Sequence, residues 1–337
     1  MLTEHNIRLT AAEIGSLWTQ YLGDSLATCT IGYFIEKTED TQILPVLQQA
    51  LKLAQSHVQK ITDLLSREGF PIPIGFTGSD VTLTTPRLFS DPFHLFYIKN
   101  LAKSGMIAYS LALSLASRSD VRSFYLENLK TAADLDEMAT TVMQNKGLYV
   151  RPPYITAGDQ AEFAQSTDFL GSFLGEEQRR LSATEIMHLF LNAQSNGIAK
   201  ALLRGFSQVA QSSELRQIFD RGVNIADKHV MILNGTLKKS EIPGPMTLDT
   251  DITASTVPPF SDKLMAFHIY GLMNMVIGYY AAAIGATMRK DISLDYNRLI
   301  LEVEKYAYEL VIIIINNGWA EEPPMAVDRK QLVSQPL

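Results

Sequence analysis

The chain has 337 residues, of which 46% are hydrophobic and 19% are charged, so it is long enough to form two globular domains. Its net charge of −7 and its lack of a dense Lys/Arg stretch differ from the basic surfaces that bind phosphate backbones, and we expect no nucleic-acid partner. A single cysteine, Cys29, excludes an intramolecular disulfide, and the N-terminal MLTEHNIRLT has no signal-peptide pattern. We therefore expect a cytoplasmic protein.

The first predicted element begins with a six-residue motif that occurs twice. LTAAEI at 9–14 matches LSATEI at 181–186, an offset of 172 (181 minus 9). Further matches keep the offset at 172 and then at 171, which implies one deleted residue: 54–58 with 226–230, 89–91 with 260–262, 118–121 with 289–292, and 152–153 with 323–324. The sequence therefore predicts two copies of one structural unit.

The two copies define the expected domains. Residues 1–153 form the first unit, residues 181–337 form the second, and residues 154–180 connect them. We expect the connecting segment to pack against both units as a short helix, because it contains a group of large apolar residues: Phe163, Phe169, Leu170, Phe173 and Leu174.

The first helix of each unit is predicted from its apolar period and its start signal. After Thr10 the apolar residues recur at steps of three and four, which indicates a long helix with one buried stripe. Thr10-x-x-Glu13 and Ser182-x-x-Glu185 fit the capping box, in which a hydroxyl and a carboxylate bind the free amides of a helix start. We interpret both glutamates as helix caps.

The second helix is predicted to end near Gly69 and carries His57 on its apolar stripe, with His229 at the matching place in the second unit. Segments rich in Pro, Gly, Thr and Ser follow, over residues 70–89 and 242–260, and they show no helical period. Such long connections are expected where a chain crosses from one end of a helical bundle to the other.

The third helix starts near Asp91 in the first unit and near Asp262 in the second. Residues 264–288 carry no formal charge and are long enough to span a bilayer. The counterpart helix keeps Lys99 and Lys103, so we expect no membrane insertion and predict instead a helix buried on nearly all sides. We expect the two third helices to form the interface between the repeats around a pseudo-twofold axis, with close approach at small residues: Gly105, Ala108, Ala112, Ala116, Gly271, Gly278, Ala282, Gly285 and Ala286.

The fourth helix is predicted to follow Ser119 or Lys290 and to stop at Gly147 or Gly318, where glycine favours a left-handed terminator. Four long helices with one long connection in the middle are typical of the ferritin-like topology. The predicted fold class is therefore all-α, with two tandem ferritin-like four-helix bundles, each with a long crossover loop between helices 2 and 3.

A di-iron site in this topology needs a Glu on each of two helices and a Glu-x-x-His on each of the other two. Here Ala54 and Ala226 replace the glutamate that would precede His57 and His229, and the third helix has no acidic residue from 93 to 117. Too few ligands remain for such a centre. We expect no metal centre, no cofactor and no catalytic residues.

His57 and His229 have two open interpretations. They could form a ligand or single-metal site that Glu13 or Glu36 completes, or they could be core histidines that bind a backbone carbonyl or a hydroxyl. The core role is the commoner one for a histidine on an apolar stripe, and we favour it.

The complete pattern resembles a known family. The LTxxEI helix start, the histidine midway along helix two, the FPIP segment, the FSD start of helix three and the N-x-G…PP ending are similar to a bacterial ferritin-like domain family of unknown function. That family is frequent in spore-forming bacteria and related to CotF-type spore coat proteins, and the resemblance covers both halves of the chain. It implies a helical bundle without an established reaction.

We therefore expect a non-catalytic structural or interaction protein with protein partners, associated with the spore or its coat. The alternative is a module that binds a small ligand or a single metal through His57 and His229.

Overall fold

The computed structural model describes residues 7–156, 160–173 and 178–329. Within these ranges the chain forms eight α-helices and no β-strand, which confirms the all-α class. The helices are α1 (Ala11–Lys37), α2 (Leu44–Arg67), α3 (Asp91–Leu115), α4 (Ser119–Asn145), α5 (Ala183–Val209), α6 (Ser213–Lys239), α7 (Asp262–Ala286) and α8 (Lys290–Asn316). Two short 3-10 helices lie at Gly78–Asp80 and Thr167–Leu170.

Both predicted capping boxes are confirmed, and each glutamate also fixes a second turn of the chain. Glu13 accepts hydrogen bonds from the backbone amides of Thr10, Ser117 and Arg118, at 2.8 Å each, and so ties the start of α1 to the turn between α3 and α4. Burial alone would raise the pKa of Glu13, but these amide hydrogen bonds outweigh it and hold the pKa at about 2. Glu185 repeats the arrangement and accepts from the Thr287 hydroxyl at 2.9 Å.

The helices pair in sequence order, α1 with α2, α3 with α4, α5 with α6, and α7 with α8. Within the halves α3 packs against α1 and α2, and α7 packs against α5; between the halves α1 contacts α7, and α3 contacts α5. The largest group of buried apolar side chains contains residues of both halves, including Phe34, Phe89, Phe206 and Phe260. The two copies therefore share their main hydrophobic core, and a second, smaller cluster that includes Leu17 lies within the first half.

The two crossover segments between the second and third helices of each half bind each other reciprocally. The amide of Ser90 donates to the Asp251 carbonyl at 2.9 Å, and the amide of Ser261 donates to the Asp80 carbonyl at 2.9 Å. The hydroxyls of the same two serines donate to the carboxylates of the same two aspartates. Under the 171 offset Ser90 corresponds to Ser261 and Asp80 corresponds to Asp251, so each contact is the counterpart of the other. The halves are therefore related by a pseudo-twofold axis that passes between the crossover segments.

Helices α3 and α7 also meet through side chains at equivalent positions. The Tyr97 hydroxyl lies 3.1 Å from Nε2 of His268, and the Ser104 hydroxyl donates to the sulfur of Met275 at 2.6 Å. Both pairs differ by 171 and lie seven residues apart on each helix, so the two helices run side by side in the same direction.

The glycines that were expected to bring these helices together point elsewhere. A Cβ built on Gly271, Gly278 or Gly285 would meet no atom within 4 Å, because these positions lie on the outward face of α7. The expectation that this helix is buried on nearly all sides is also wrong, since only 33% of its most apolar window is buried. Among the described helices, α7 has the length and apolar composition needed to cross a membrane.

The connecting segment does not pack as predicted. It contains the 3-10 helix Thr167–Leu170, but Phe163 is 90% exposed and Phe173 is 58% exposed. The aromatic ring of Phe169 lies instead against the guanidinium group of Arg179, which is 4.2 Å from the ring centre. Leu174, which the same expectation included, lies outside the described residues.

Replacement of a shared helix cap tests the reciprocal contact. Ser261→Ala removes both the cap of α7 and the hydrogen bond to the Asp80 carboxylate, so we expect a loss of about 2–4 kcal/mol in the free energy of unfolding in urea. The matched control is Ser212→Ala, which removes the cap of α6 but no bond between the halves, with an expected loss of about 1 kcal/mol. Equal losses would show that the contact between the halves contributes nothing.

Candidate functional site

The second half contains a buried hydrogen-bond network centred on His229. Its Nδ1 lies 2.9 Å from the Tyr280 hydroxyl, and its Nε2 lies 3.0 Å from the Glu302 carboxylate. The amide nitrogen of Asn196 donates to the same Tyr280 hydroxyl at 2.8 Å. The four residues lie on α6, α7, α8 and α5, so one network joins all four helices of this half.

The hydrogen-bond partners of His229 determine which of its ring nitrogens carries the proton. Burial lowers the pKa of His229, although the Glu302 carboxylate opposes this effect, so the imidazole is neutral near pH 7. A carboxylate only accepts hydrogen bonds, and therefore Nε2 carries the proton and Nδ1 accepts from Tyr280. The Tyr280 hydroxyl then donates to His229 and accepts from Asn196. Both ring nitrogens of His229 are thus used by the protein itself.

The first half places His57 in an equivalent but different environment. Nδ1 of His57 lies 3.2 Å from the Asp24 carboxylate, which also accepts from the Gln20 amide at 3.1 Å. The rings of Tyr109 and Phe124 lie edge-on to the imidazole, with centres 5.8 and 6.0 Å away. The carboxylate that binds the histidine is therefore on α1 here, whereas in the second half it is on α8.

The residues around the two histidines correspond under the repeat offset. Asp24 of the first half corresponds to Asn196 of the second, so an acidic residue in one half matches a neutral residue in the other. The remaining pairs are Gln20 with Asn192, Tyr109 with Tyr280, and Tyr125 with Tyr296. The two halves thus surround their histidines with similar residues but connect these residues through different hydrogen bonds.

Buried polar atoms in the first centre have no partner among the described residues. They are Oε1 of Gln20, the hydroxyl of Tyr125 and Nδ2 of Asn128, and both Tyr125 and Asn128 are only 1% exposed. In the second half the amide of Asn192 donates to the hydroxyl of Tyr296 at 3.2 Å, which closes the equivalent of the gap between Gln20 and Tyr125. In the second centre Oδ1 of Asn192 has no partner among the described residues, so the first centre, with three such atoms, is the less satisfied of the two.

The predicted partners of His57 need correction. Glu13 and Glu36 lie eleven residues before and twelve residues after Asp24 on α1, so each is about 17 Å or more along the helix from the residue that binds the histidine. Glu13 is bound to the amides at the helix start. Within the described part of the chain, no group of three His, Cys, Asp or Glu side chains could hold one metal ion.

Sequence reasoning found the two histidines but missed the residues that surround them. The signal was available, because the tyrosines of the third and fourth helices recur at the same 171 offset as the helix starts. They were not distinguished from core aromatics, since a periodic tyrosine on an apolar stripe gives no sign that its hydroxyl binds a histidine.

Two further titratable side chains, His94 and Cys29, are held in the core. His94 stacks on Phe34 with ring centres 4.2 Å apart, and burial lowers its pKa to about 3. Cys29 donates to the Thr77 carbonyl, and burial raises the pKa of its thiol to about 11. His94 is therefore neutral and Cys29 protonated near pH 7, in line with structural roles.

Comparison with known proteins gives one family match. A family model described as "Protein of unknown function (DUF3231)" matches residues 1–160 and 171–332. No curated protein matches the chain. A solved structure described as a "putative spore coat protein" from Bacillus halodurans C-125 is similar at 20% identity, with a TM-score of 0.42, over 45% of this chain and 98% of the other.

Two matched tyrosine variants test the difference between the centres. Tyr280→Phe leaves Nδ1 of His229 and the amide of Asn196 without their partner, so we expect a loss of about 1–3 kcal/mol in the free energy of unfolding in urea. Tyr109→Phe removes a hydroxyl that makes no hydrogen bond to any described residue, so we expect a loss of about 0.5 kcal/mol or less. Equal losses for the two variants would contradict the assigned network.

Proposed function

The chain belongs to the DUF3231 family of proteins of unknown function, and we propose that it is a non-catalytic structural protein that assembles with further copies of itself. The observation that carries this proposal is an uncharged, exposed apolar ridge on α3. Ile107, Leu111 and Leu115, at steps of four, are 52%, 61% and 54% exposed. Contiguous apolar side chains of this kind mark contact surfaces on soluble proteins.

A second uncharged surface on α7 complements the ridge in shape. The positions that match Ile107, Leu111 and Leu115 are Gly278, Ala282 and Ala286. The outward face of α7 is thus a flat strip of small residues, with open space above Gly278 and Gly285. A ridge of branched side chains fits against such a strip better than against a second ridge.

Charge also favours a second copy as the partner. The chain has a net charge of −7, so two copies repel each other over most orientations. Residues 105–117 of the ridge helix and 264–288 of the strip helix contain no charged side chain. Contact through these surfaces therefore brings two copies together with the least charge repulsion.

The pseudo-twofold axis determines the type of assembly. Because ridge and strip occupy equivalent places in the two halves, they lie on different faces of the chain. A contact between the ridge of one copy and the strip of the next leaves one of each free, so association continues into a ring or a filament. Continued association suits a protein whose role is to build a layer.

The finer parts of the proposal concern fold and location. We infer that each half is a ferritin-like four-helix bundle; the pairing of α1 with α2 and α3 with α4, and the long crossover between the pairs, support this. The resemblance of the sequence motifs to a family that is related to CotF-type coat proteins supports an association with the spore.

The assembly is tested by placing a charge on the ridge. We expect the purified wild-type chain to form species larger than one chain in light scattering coupled to size-exclusion chromatography, and Leu111→Lys to be a monomer. Met231→Lys, on α6, introduces the same charge at a site that is also 61% exposed, and it should behave as wild type. A monomeric wild type, or an assembled Leu111→Lys variant, would refute the proposal.

The same variants test the location. A tagged wild-type chain produced in a sporulating bacterium should be recovered with washed spores, and the Leu111→Lys variant should remain in the soluble fraction. Recovery of neither chain with the spores would remove the spore association and leave the assembly standing.

A second candidate function is the binding of a small polar ligand or single metal in the first centre. It is favoured by the unpartnered buried atoms beside His57, namely Oε1 of Gln20, the Tyr125 hydroxyl and Nδ2 of Asn128. Unpartnered buried groups are costly, and a bound molecule that hydrogen-bonds them would remove that cost.

The second candidate is tested by mass spectrometry of untagged protein, both native and elemental. We expect about one bound molecule or metal ion per chain, lost in His57→Ala and retained in His229→Ala, since both ring nitrogens of His229 are already bonded within the protein. Loss in neither variant, or no bound species in the wild type, would make His57 a core residue.

A further inference from the structure

A cleft between the two halves is lined by an unusual pair of polar side chains. It lies between α3 and α5, is closed by the residues that follow α4, and has a volume of about 200 Å³. Ligand pockets for drug-sized molecules are larger, at about 300–1,000 Å³, so this cleft suits a small molecule. Most of its wall is apolar: Phe96, Met143, Val150, Phe190, Leu191 and Ile198.

Lys103 brings a cation into this cleft without a counter-ion. Its nearest polar contacts are the Ser195 hydroxyl at 3.4 Å and the face of the Tyr279 ring at 5.5 Å, and it forms no ion pair with any carboxylate that the structure describes. The neighbouring Lys99 differs, because it binds Asp136 and Thr140 at 2.6 Å each. Burial, together with Lys99, lowers the pKa of Lys103 to about 8.

Asn100 supplies a second unsatisfied group in the same cleft. Asn100 is 7% exposed, its buried Oδ1 has no hydrogen-bond donor, and its amide nitrogen makes no hydrogen bond within the described part of the protein. Asn100 and Lys103 are three residues apart on α3, so they lie on the same face of the helix. The unpaired ammonium of Lys103 is costly unless a ligand binds it, and a 180° rotation of the Asn100 carboxamide, which exchanges its oxygen and nitrogen, lets Asn100 donate an N–H to the same ligand.

The side chains that line the cleft indicate the class of ligand that it binds. One unpaired cation and one amide donor match a single negatively charged group with two acceptor oxygens, as in a carboxylate. The apolar wall matches a hydrocarbon or aromatic body. We propose that the cleft between α3 and α5 binds a small monocarboxylate with an apolar body, its carboxylate held by Lys103 and Asn100.

The repeat provides an internal comparison for this site. The positions in α7 that match Lys99, Asn100 and Lys103 are Tyr270, Gly271 and Asn274. The second half therefore carries no cation at the equivalent place, and we expect one ligand per chain. This inference does not depend on the self-assembly proposed above, which uses other residues.

Titration calorimetry with octanoate tests the proposal, with octanol as the uncharged probe of the same length. At about pH 7 we expect one octanoate per chain and much weaker binding of octanol. Lys103→Met should weaken octanoate binding on the order of ten- to a hundredfold, because it removes a charge-assisted hydrogen bond. Lys130→Met is the control, since Lys130 is on the exposed surface of α4, and it should bind octanoate as wild type does.

Several results would overturn the proposal. They are the absence of octanoate binding, equal binding of octanol, or unchanged binding by Lys103→Met. Folding is not expected to obscure the result, because Lys103→Met replaces an unpaired, largely buried charge with an apolar side chain of similar length.

The pH dependence adds a readout that packing alone would not give. The groups that face Lys103 are Lys99 with its partner Asp136, and Tyr279, whose pKa burial raises. Only protonated Lys103 binds the carboxylate, so affinity should be constant between about pH 6, where octanoate is ionised, and about pH 8, and should fall above it. Lys103→Arg keeps its charge at higher pH and should bind octanoate equally at about pH 7 and pH 10. A wild-type affinity that does not fall by about pH 10 would contradict the role of Lys103.

Discussion

The exchange of hydrogen bonds between the two crossover segments is the contact on which the arrangement of the halves depends. Ser90 and Ser261 cap the central helices α3 and α7, and each is bound through both its amide and its hydroxyl to an aspartate of the other half. A long connection without regular structure is ordinarily the loosest part of a helical protein. Here it is the contact that fixes the starts of α3 and α7 relative to each other.

Duplication has also let the two polar centres diverge. In the second half His229, Tyr280, Asn196 and Glu302 satisfy one another, so both ring nitrogens of the histidine are held within a structural network. In the first half the carboxylate that binds the histidine is on α1, the counterpart of α5, rather than on α4, the counterpart of α8, and the hydroxyl of Tyr125 has no amide partner like the one that Asn192 gives to Tyr296. The same division occurs on the surface, where large side chains on α3 correspond to glycine and alanine on α7. A fused pair can keep one copy for stability while the other changes.

Much of the fold could be predicted from the sequence, because helix periods and caps are local signals. Thr10 and Glu13 fix the start of α1 through bonds three residues apart, and Gly147 ends the fourth helix with a φ of 67°. The second role of Glu13, at the turn near Ser117, could not be predicted, since it depends on a residue more than a hundred positions away. The outward direction of Gly271 and Gly278 was missed for a related reason: composition alone does not distinguish a small residue at a helix contact from one on an open face. The candidate site was predicted only as far as its histidines, because Asp24 and Tyr109 carry no local mark of their proximity to His57.

The reciprocal crossovers also have a consequence for the order in which the protein is completed during synthesis. Ser90 is bound by Asp251, which follows it by 161 positions, so the partner of the first crossover does not exist until the first two helices of the second half have been synthesised. Domains of a tandem chain generally fold one after another as they emerge. In this chain the first half is synthesised before its crossover and the start of α3 can form all their hydrogen bonds. Its final structure therefore forms together with that of the second half. Completion of the first half therefore depends on synthesis of the second.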